Sequence, residues 1–173
     1  MTLSALTERQ TTSAGTVTAQ DYRQGMASVA AAVNIVTTSL NGTPAGFTAT
    51  AVCSVSDDPA TLLVCLNRQS SVHKAFSQSR YLAVNTLAAG QDDLSNLFGG
   101  RAPMAERFAQ GNWSSLSTGS PALSDAAVTF DCEIIDIKSV ATHDVFYCQV
   151  VAIAQRQDTG ALLYHQRGYH TLT

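Results

Sequence analysis

The sequence predicts a mainly β protein of the α+β class, an antiparallel barrel with a leading helix and a short helical insertion near its middle. Two observations support this fold class. Segments of β-branched or alternating residues recur at hairpin spacing, which favours an antiparallel barrel over a doubly wound sheet. In addition, no G-x-G-x-x-G motif follows a predicted strand, so a Rossmann dinucleotide site is disfavoured.

Local patterns predict each element in turn. Thr18 and Asp21 have the spacing of a helix start, and apolar residues at helical spacing follow them. Asn41-Gly42 is a strong hairpin signal, and Pro59 ends the second strand because proline cannot donate to a ladder. The predicted elements, in chain order, are a helix at 18–31, strands at 33–39, 46–55 and 61–66, a helix at 70–77, a strand at 80–87, helical pieces at 92–98 and 103–108, a loop at 111–121, and strands at 127–138, 145–155, 160–165 and 169–172.

Length and composition bound the domain organisation. The chain has 173 residues, of which 45% are apolar and 13% are charged, and this is enough apolar surface for one folded core. We expect a flexible N-terminal tail at residues 1–17 and a single domain at residues 18–173. The low fraction of charged residues also predicts that a partner covers part of the surface, most simply a second subunit.

Charge and motif content exclude several classes of protein. The net charge is −3 without a run of Lys or Arg, so a nucleic-acid groove is not expected. The apolar runs are too short to span a bilayer, and residues 1–20 lack the pattern of a secretion signal. The four histidines show no zinc spacing. Cys53, Cys65, Cys132 and Cys148 form no C-x-x-C pair, and we interpret them as small buried hydrophobes in a reducing, cytoplasmic compartment.

A first candidate binding segment combines hydroxyl and small side chains. Thr48, Thr50 and Val52 fall on one face of the predicted strand 46–55, and Ala49 and Ala51 alternate with them. This pattern fits an ordinary solvent-facing side of a strand. It equally fits a wall that offers small donors and close backbone approach to a flat polar ring.

A second candidate lies at Asn67-Arg68-Gln69-Ser70-Ser71, between a predicted strand and a predicted helix. Free N–H groups and serine hydroxyls at such a place can hold a phosphate, although a plain serine cap has the same sequence. Lys74 could add a positive charge there or remain a solvated surface lysine.

Three further positions stay ambiguous from spacing alone. His143 lies at a predicted turn before a strand, where a histidine is either idle in solvent or able to touch a bound nicotinamide. Arg167 and Tyr169, near the C-terminus, have equally open roles.

A series of short segments, spread in order over residues 20–173, resembles the short-chain flavin reductase family. This family includes reductase components of two-component flavin monooxygenases, such as the reductase of 4-hydroxyphenylacetate 3-monooxygenase. The matching segments are 33–38, 46–56, 58–59, 63–67, 70–71 with Phe76, 81–85, 98–100, 107–108, 132–133, His143, 162–165 and 169–170.

The resemblance implies an FMN-binding split β-barrel, a homodimer, and NADH or NADPH as the hydride donor to FMN or FAD. It also implies an oxygenase component that receives the reduced flavin. The implied cofactor-binding residues are Thr48, Ala49, Thr50, Ala51, Cys65, Leu66 and Asn67 around the flavin ring, Ser70, Ser71 and Val72 at the phosphate side, Asn85 as a second wall and Tyr169 as a C-terminal aromatic. His143 is implied as the catalytic residue on the nicotinamide side.

The sequence departs from the commonest family pattern at Gly99-Gly100, at Ala141-Thr142 and at Cys148, which affects the shape of the nicotinamide pocket rather than the fold. The hypothesis is that hydride passes from nicotinamide C4 to flavin N5, with backbone donors at residues 50–52 stabilising the negative charge that develops on the ring. Three alternatives remain. They are a corrin reductase of the same fold, acting on the cobalt of cob(II)yrinic acid a,c-diamide, a non-enzymatic flavin-binding domain, and a barrel without a ligand.

Overall fold

Strands make up most of the regular structure in the computed structural model, which describes residues 15–157 and 159–173. The helices are α1 (Ala19–Ala27), α2 (His73–Gln78), α3 (Asp92–Gly99) and α4 (Met104–Phe108). The strands are β1 (Ala31–Ala32), β2 (Asn34–Leu40), β3 (Thr43–Ala49), β4 (Val52–Asp57), β5 (Ala60–Asn67), β6 (Tyr81–Thr86), β7 (Trp113–Ser115), β8 (Pro121–Leu123), β9 (Val128–Val140), β10 (His143–Gln155), β11 (Ala161–His165) and β12 (Gly168–Leu172). The predicted mainly β class is confirmed, and the predicted tail lies mostly outside the described residues.

The main sheet has seven antiparallel strands in the order β3-β2-β6-β9-β10-β5-β4. Its two edge strands, β3 and β4, follow each other in the chain and are joined only by Thr50 and Ala51. Three Cα steps span at most about 10 Å, so the sheet must curl until its edges meet at this link. The result is a barrel whose β3–β4 seam carries no ladder pairing among the described strands. A separate sheet has the order β1-β11-β12, and β7 pairs with β8.

Two local signals read from the sequence are confirmed. The Thr18 hydroxyl accepts a bond from the Asp21 amide at 3.1 Å, and the Asp21 carboxylate accepts one from the Thr18 amide at 2.9 Å, which completes a capping box. Asn41 and Gly42 have φ angles of 52° and 79°, the positive values that a tight β2–β3 hairpin requires. Pro59 follows a cis peptide in the turn between β4 and β5, as its predicted place at a strand end allows.

Other predicted elements have different bounds because tertiary pairing decides them. Helix α1 ends at Ala27 rather than at 31, since residues 31–32 pair with β11. The predicted strand 46–55 is broken at residues 50–51, where the chain crosses the barrel seam. The predicted loop 111–121 contains β7, which pairs with β8.

Aromatic residues of the core hold helices α2 and α3 against the barrel. Phe76 of α2 is buried, and its ring meets Phe47 edge-on at 5.1 Å and Phe146 at 6.4 Å, which holds α2 at one end of the barrel. Phe98 of α3 packs so closely on β3 that a Cβ atom at Gly46 would lie 2.9 Å from its ring. These contacts hold both helices, α2 and α3, against the strands of the barrel.

The cysteines divide into two groups. All four are free, and Cys132 and Cys148 are buried, where loss of solvent raises the pKa of both thiols, that of Cys148 to about 12. Cys65 is half-buried, and burial also raises the pKa of its thiol. Cys53 is exposed, so the interpretation of all four as buried was wrong for this residue, which lies on the edge strand β4. None of the described helices is long and apolar enough to cross a membrane.

Candidate active site

A cavity of about 370 Å³ opens where the ends of β3 and β5, the start of β10 and the end of α3 converge. Its lining residues are Phe47, Thr48, Ala49, Thr50, Ala51, Cys65, Leu66, Asn67, Ser70, Ser71, Val72, Phe98, Gly99, Gly100, Arg107 and His143. The barrel thus brings together eleven of the thirteen residues named from the sequence, and Asn85 and Tyr169 are the two exceptions.

The β3–β4 link supplies exposed backbone to the cavity. Thr48 is held by a 2.6 Å hydrogen bond from its hydroxyl to the Ser95 carbonyl, and Ala49 is buried. Thr50 and Ala51 are exposed, and their carbonyls accept bonds from Val52 and Cys65, both at 3.0 Å. Within residues 15–157 and 159–173 their own N–H groups have no acceptor. Two donors at this corner of the cavity are therefore available to a ligand.

The Val52 amide is not available in the same way. It donates to the Thr50 carbonyl at 3.0 Å, and Val52 does not line the cavity. The hypothesis that donors at residues 50–52 face a ligand is therefore narrowed to Thr50 and Ala51.

The turn that follows β5 presents hydroxyl groups to the same cavity. Asn67 shapes this turn, since its side chain accepts a bond from the Gln69 amide at 2.8 Å and its carbonyl accepts one from Ser70 at 2.9 Å. The alternative of a plain serine cap is wrong, because α2 begins at His73 with Val72 as its N-cap residue and no side-chain cap bond. The Ser70 and Ser71 hydroxyls have no partner among the described residues and line the cavity.

His143 is the first residue of β10 and pairs in register with Asn67, so it lines the cavity beside the turn that Asn67 begins. Its Nδ1 lies 2.9 Å from the Thr142 hydroxyl, which fixes one side of the ring. Nε2 contacts no hydrogen-bonding group in the described part of the chain, and the side chain is exposed. A ring held in this way can meet a ligand through Nε2.

Asp144, the residue after His143, makes a partly buried contact with His73 that was not predicted from the sequence. Nε2 of His73 lies 2.7 Å from Oδ2 of Asp144, and the Ser139 hydroxyl donates to Oδ1 at 2.7 Å. These bonds, first that of Ser139 and then that of His73, hold the pKa of Asp144 below its usual value. The pair joins α2 to β10 across 71 positions of sequence, a separation at which no local pattern could reveal it.

Arg107 is a second residue that the sequence analysis did not assign to the site. Its side chain is 6% exposed, and its guanidinium donates to the carbonyls of Phe98, Gly100, Ala102 and Gly46 at 2.7, 2.8, 2.9 and 3.3 Å. These bonds hold the end of α3, and with it Gly99 and Gly100, against the cavity. The only sequence signal was the Arg107-Phe108 pair in the family resemblance.

Asn85 is not a wall of this cavity. It is fully buried, its Oδ1 accepts bonds from the Leu123 amide at 2.8 Å and the Thr129 hydroxyl at 2.9 Å, and its Nδ2 donates to the Ile35 carbonyl at 3.0 Å. The expectation that Asn85 faces a ligand is wrong, because its side-chain amide is fully hydrogen-bonded to residues of neighbouring strands and their connections.

Tyr169 lies beside the main cavity rather than in it. It lines a separate space of about 180 Å³ that shares Thr48 and Thr50 with the main cavity. Its hydroxyl is 2.9 Å from the Ser95 hydroxyl and 3.0 Å from the Asn96 side-chain oxygen. The residue therefore braces α3 behind the wall formed by Thr48.

Comparison with known proteins assigns this chain to an enzyme class. Residues 26–173 match the flavin reductase like domain. The chain belongs to this family and is an oxidoreductase of the flavin reductase class.

The relatives include a protein named FMN reductase (NADH) RutF from Stutzerimonas stutzeri (strain A1501). It is 57% identical over 154 residues, which cover 89% of this chain and 88% of the relative.

Solved structures with the same fold include BorF, the flavin reductase component of a bacterial two-component tryptophan halogenase. Its TM-score is 0.83 at 26% identity, over 90% of this chain and 98% of that chain. Nitrilotriacetate monooxygenase component B from Mycobacterium thermoresistibile also has a TM-score of 0.83, at 27% identity, over 89% of this chain and 86% of that chain.

Proposed function

We propose that this protein transfers hydride from NADH to FMN. The observation that carries the proposal is the cavity itself, which is lined by amides of Thr50 and Ala51 and hydroxyls of Ser70 and Ser71 that have no partner among the described residues. The name of the 57% identical relative supports FMN and NADH as the pair used here. FAD and NADPH are the alternatives that the assay below distinguishes.

The cavity fits a flavin mononucleotide in size and in donor pattern. Its volume of about 370 Å³ lies within the range of about 300–1,000 Å³ usual for small-molecule sites. Residues 48–51 and 65–67 would hold the ring, with Ala49 and Ala51 allowing close backbone approach. Residues 70–72 would hold the phosphate through hydroxyl and amide groups.

Bound flavin supplies the hydride acceptor, so the chain needs no nucleophile of its own. The residues of the chain bind and orient the two partners. His143 would place the nicotinamide through Nε2, and the wall from Phe98 to Gly100 would limit the space over the ring. Most of the rate would come from holding the reacting rings in contact.

The direct test is NADH consumption by the purified protein with FMN and with FAD, with and without oxygen. Turnover of NADH that depends on FMN supports the proposal. A preference for NADPH over NADH, or for FAD over FMN, would change the assigned hydride donor or acceptor. Flavin binding without turnover would favour the non-enzymatic flavin-binding domain. Failure to bind either flavin at micromolar concentration contradicts the proposal. Reduction of cob(II)yrinic acid a,c-diamide faster than free flavin would favour the corrin reductase.

We also propose that the protein is a homodimer. Exposed apolar side chains lie on three strands of the main sheet, and they are Val55 of β4, Ile135 and Val140 of β9, and Val151 and Ile153 of β10. Exposed apolar surface usually marks an interface, and a second copy of the same chain would cover it symmetrically. Sedimentation should give a dimer for the parent and for Gln78→Glu on exposed α2, and a monomer for Ile153→Glu. A monomeric parent at micromolar concentration contradicts the dimer.

The reduced flavin would serve an oxygenase component, as the names of the halogenase and monooxygenase reductases suggest for their own systems. We place the reaction in the cytoplasm, because all four cysteines are free and NADH is an intracellular reductant. Substrate oxygenation by a candidate oxygenase should require this protein and NADH, and catalase should not abolish it. Oxygenation that proceeds equally without this protein contradicts the partnership.

A further inference from the structure

Arg107 places a cation beside the cavity, and no carboxylate in the described part of the chain pairs with it. Its side chain is nearly buried, and it lines the cavity. Its four acceptors are all neutral carbonyl oxygens. The ion pairs found among residues 15–157 and 159–173 involve other groups, so no described carboxylate lies within 4.0 Å of this guanidinium.

Part of this arrangement is structural. The last carbonyls of a helix lack partners within the helix, and Arg107 satisfies those of Phe98 and Gly100 at the end of α3. A cap needs donors, but it does not need an unpaired charge in a nearly buried place. An arginine stays protonated, and burial without a counter-ion carries a desolvation cost.

The charge matters for the reaction proposed above. When hydride leaves nicotinamide C4, two electrons and one proton arrive at flavin N5, the nicotinamide becomes a cation and the flavin gains one negative charge. A fixed positive charge in a cavity of reduced dielectric lowers the free energy of the negative form relative to the neutral form.

We infer that Arg107 sets the redox preference of the cavity, so that it binds anionic reduced FMN more tightly than oxidised FMN. The inference rests on the proposed function. The fifth guanidinium N–H, on Nη2, has no acceptor among the described residues, so a donor is left as well as a charge. Arg107 acts here through its charge, in addition to positioning the Phe98–Gly100 wall.

The test compares Arg107→Met, Arg107→Lys and the matched control Arg101→Met, whose arginine is exposed and lies outside the lining. Dissociation constants of oxidised and of reduced FMN are measured without oxygen, at mildly alkaline pH where the reduced flavin is an anion. We expect Arg107→Met to lower the ratio of reduced to oxidised affinity at least tenfold. A tenfold fall in this affinity ratio corresponds to a fall of about 30 mV in the two-electron potential of bound FMN.

Arg107→Lys keeps the positive charge and loses the planar set of guanidinium N–H donors. The affinities for oxidised and for reduced FMN should therefore both weaken, while their ratio stays within about threefold of the parent. Equal losses of both affinities in Arg107→Met would leave only a structural cap and overturn the inference. If Arg107→Met does not fold, a tenfold fall of the ratio in folded Arg107→Lys overturns it, and an unchanged ratio supports it. A parent that binds no FMN would instead refute the proposed function.

Discussion

Nε2 of His73 lies 2.7 Å from Oδ2 of Asp144, the residue that follows His143 at the edge of the cavity. His73 is in the first turn of α2, which follows the turn at Ser70 and Ser71, and Asp144 follows His143 in β10. The pair therefore fixes the proposed phosphate side and the proposed nicotinamide side relative to each other. The Asp144 side chain is 8% exposed and that of His73 is 22% exposed, so the contact is partly shielded from water.

Replacement of Asp144 should change how stability depends on pH. The hydrogen bonds from Ser139 and His73 lower the pKa of Asp144 in the folded protein below its ordinary value of 3.8. The stabilisation is therefore complete above that value and is lost as the pH falls through the folded-state pKa. Asp144→Asn should lower the melting temperature at neutral pH and flatten its decline in acid. Asp93→Asn, at an exposed site on α3, should follow the parent curve. A parent-like acid decline in Asp144→Asn would contradict this assignment.

Removal of the His143 ring should affect nicotinamide more than flavin. Nε2 of His143 has no hydrogen-bond partner among the described residues and can meet a ligand, while the flavin is expected to lie on the backbone of residues 48–51 and 65–67. We expect His143→Ala to raise the KM for NADH or lower kcat by about tenfold, and to change the Kd for FMN by less than about threefold. Steady-state kinetics and flavin titration measure these quantities, with exposed His170→Ala as the control. Parent-like NADH oxidation kinetics in His143→Ala would show that the role is wrong.

The serine hydroxyls after β5 should recognise a phosphate rather than a ring. A hydrogen bond to a charged group contributes about 1.5–3 kcal/mol, so Ser71→Ala should weaken FMN binding by about tenfold or more. Riboflavin, which lacks the phosphate, should bind the variant and the parent equally. Ser77→Ala provides the control, because Ser77 is an exposed residue of α2 whose hydroxyl donates to the Lys74 carbonyl. An equal loss for riboflavin and FMN would place the phosphate elsewhere.

Two glycine substitutions should have opposite effects on folding. A Cβ atom at Gly46 would lie 2.9 Å from the ring of Phe98 and 3.2 Å from Thr37, so Gly46→Ala should destabilise the protein by about 1–3 kcal/mol. Gly25 lies inside α1 with open space around it, and Gly25→Ala should be neutral or stabilising by up to about 1 kcal/mol. Urea denaturation gives both free energies of unfolding. Equal stabilities would mean that Phe98 is not packed firmly on β3.

Much of the candidate site could be predicted from the sequence because it is built from short continuous segments. Residues 48–51, 65–67 and 70–72 each reach the cavity as a unit, so one matching motif predicted several neighbours at once. The resemblance was less useful for single residues. Asn85 and Tyr169 do not line the main cavity, and their polar groups form hydrogen bonds with Thr129 and Ser95 inside the protein.

The sequence by itself determined the features that depend on neighbours in the chain: the capping box of Thr18 and Asp21, the turn at Asn41-Gly42, and the order of strands that makes the protein mainly β. These rest on backbone conformation and on hydrogen bonds across a few residues. Only the tertiary structure decided that the sheet closes at Thr50 and Ala51, that His73 meets Asp144, and that Arg107 lies beside the cavity with no carboxylate of the described residues next to it. Such contacts arise when strands distant in sequence curl into a barrel, and their energies depend on burial and partners that no local pattern encodes.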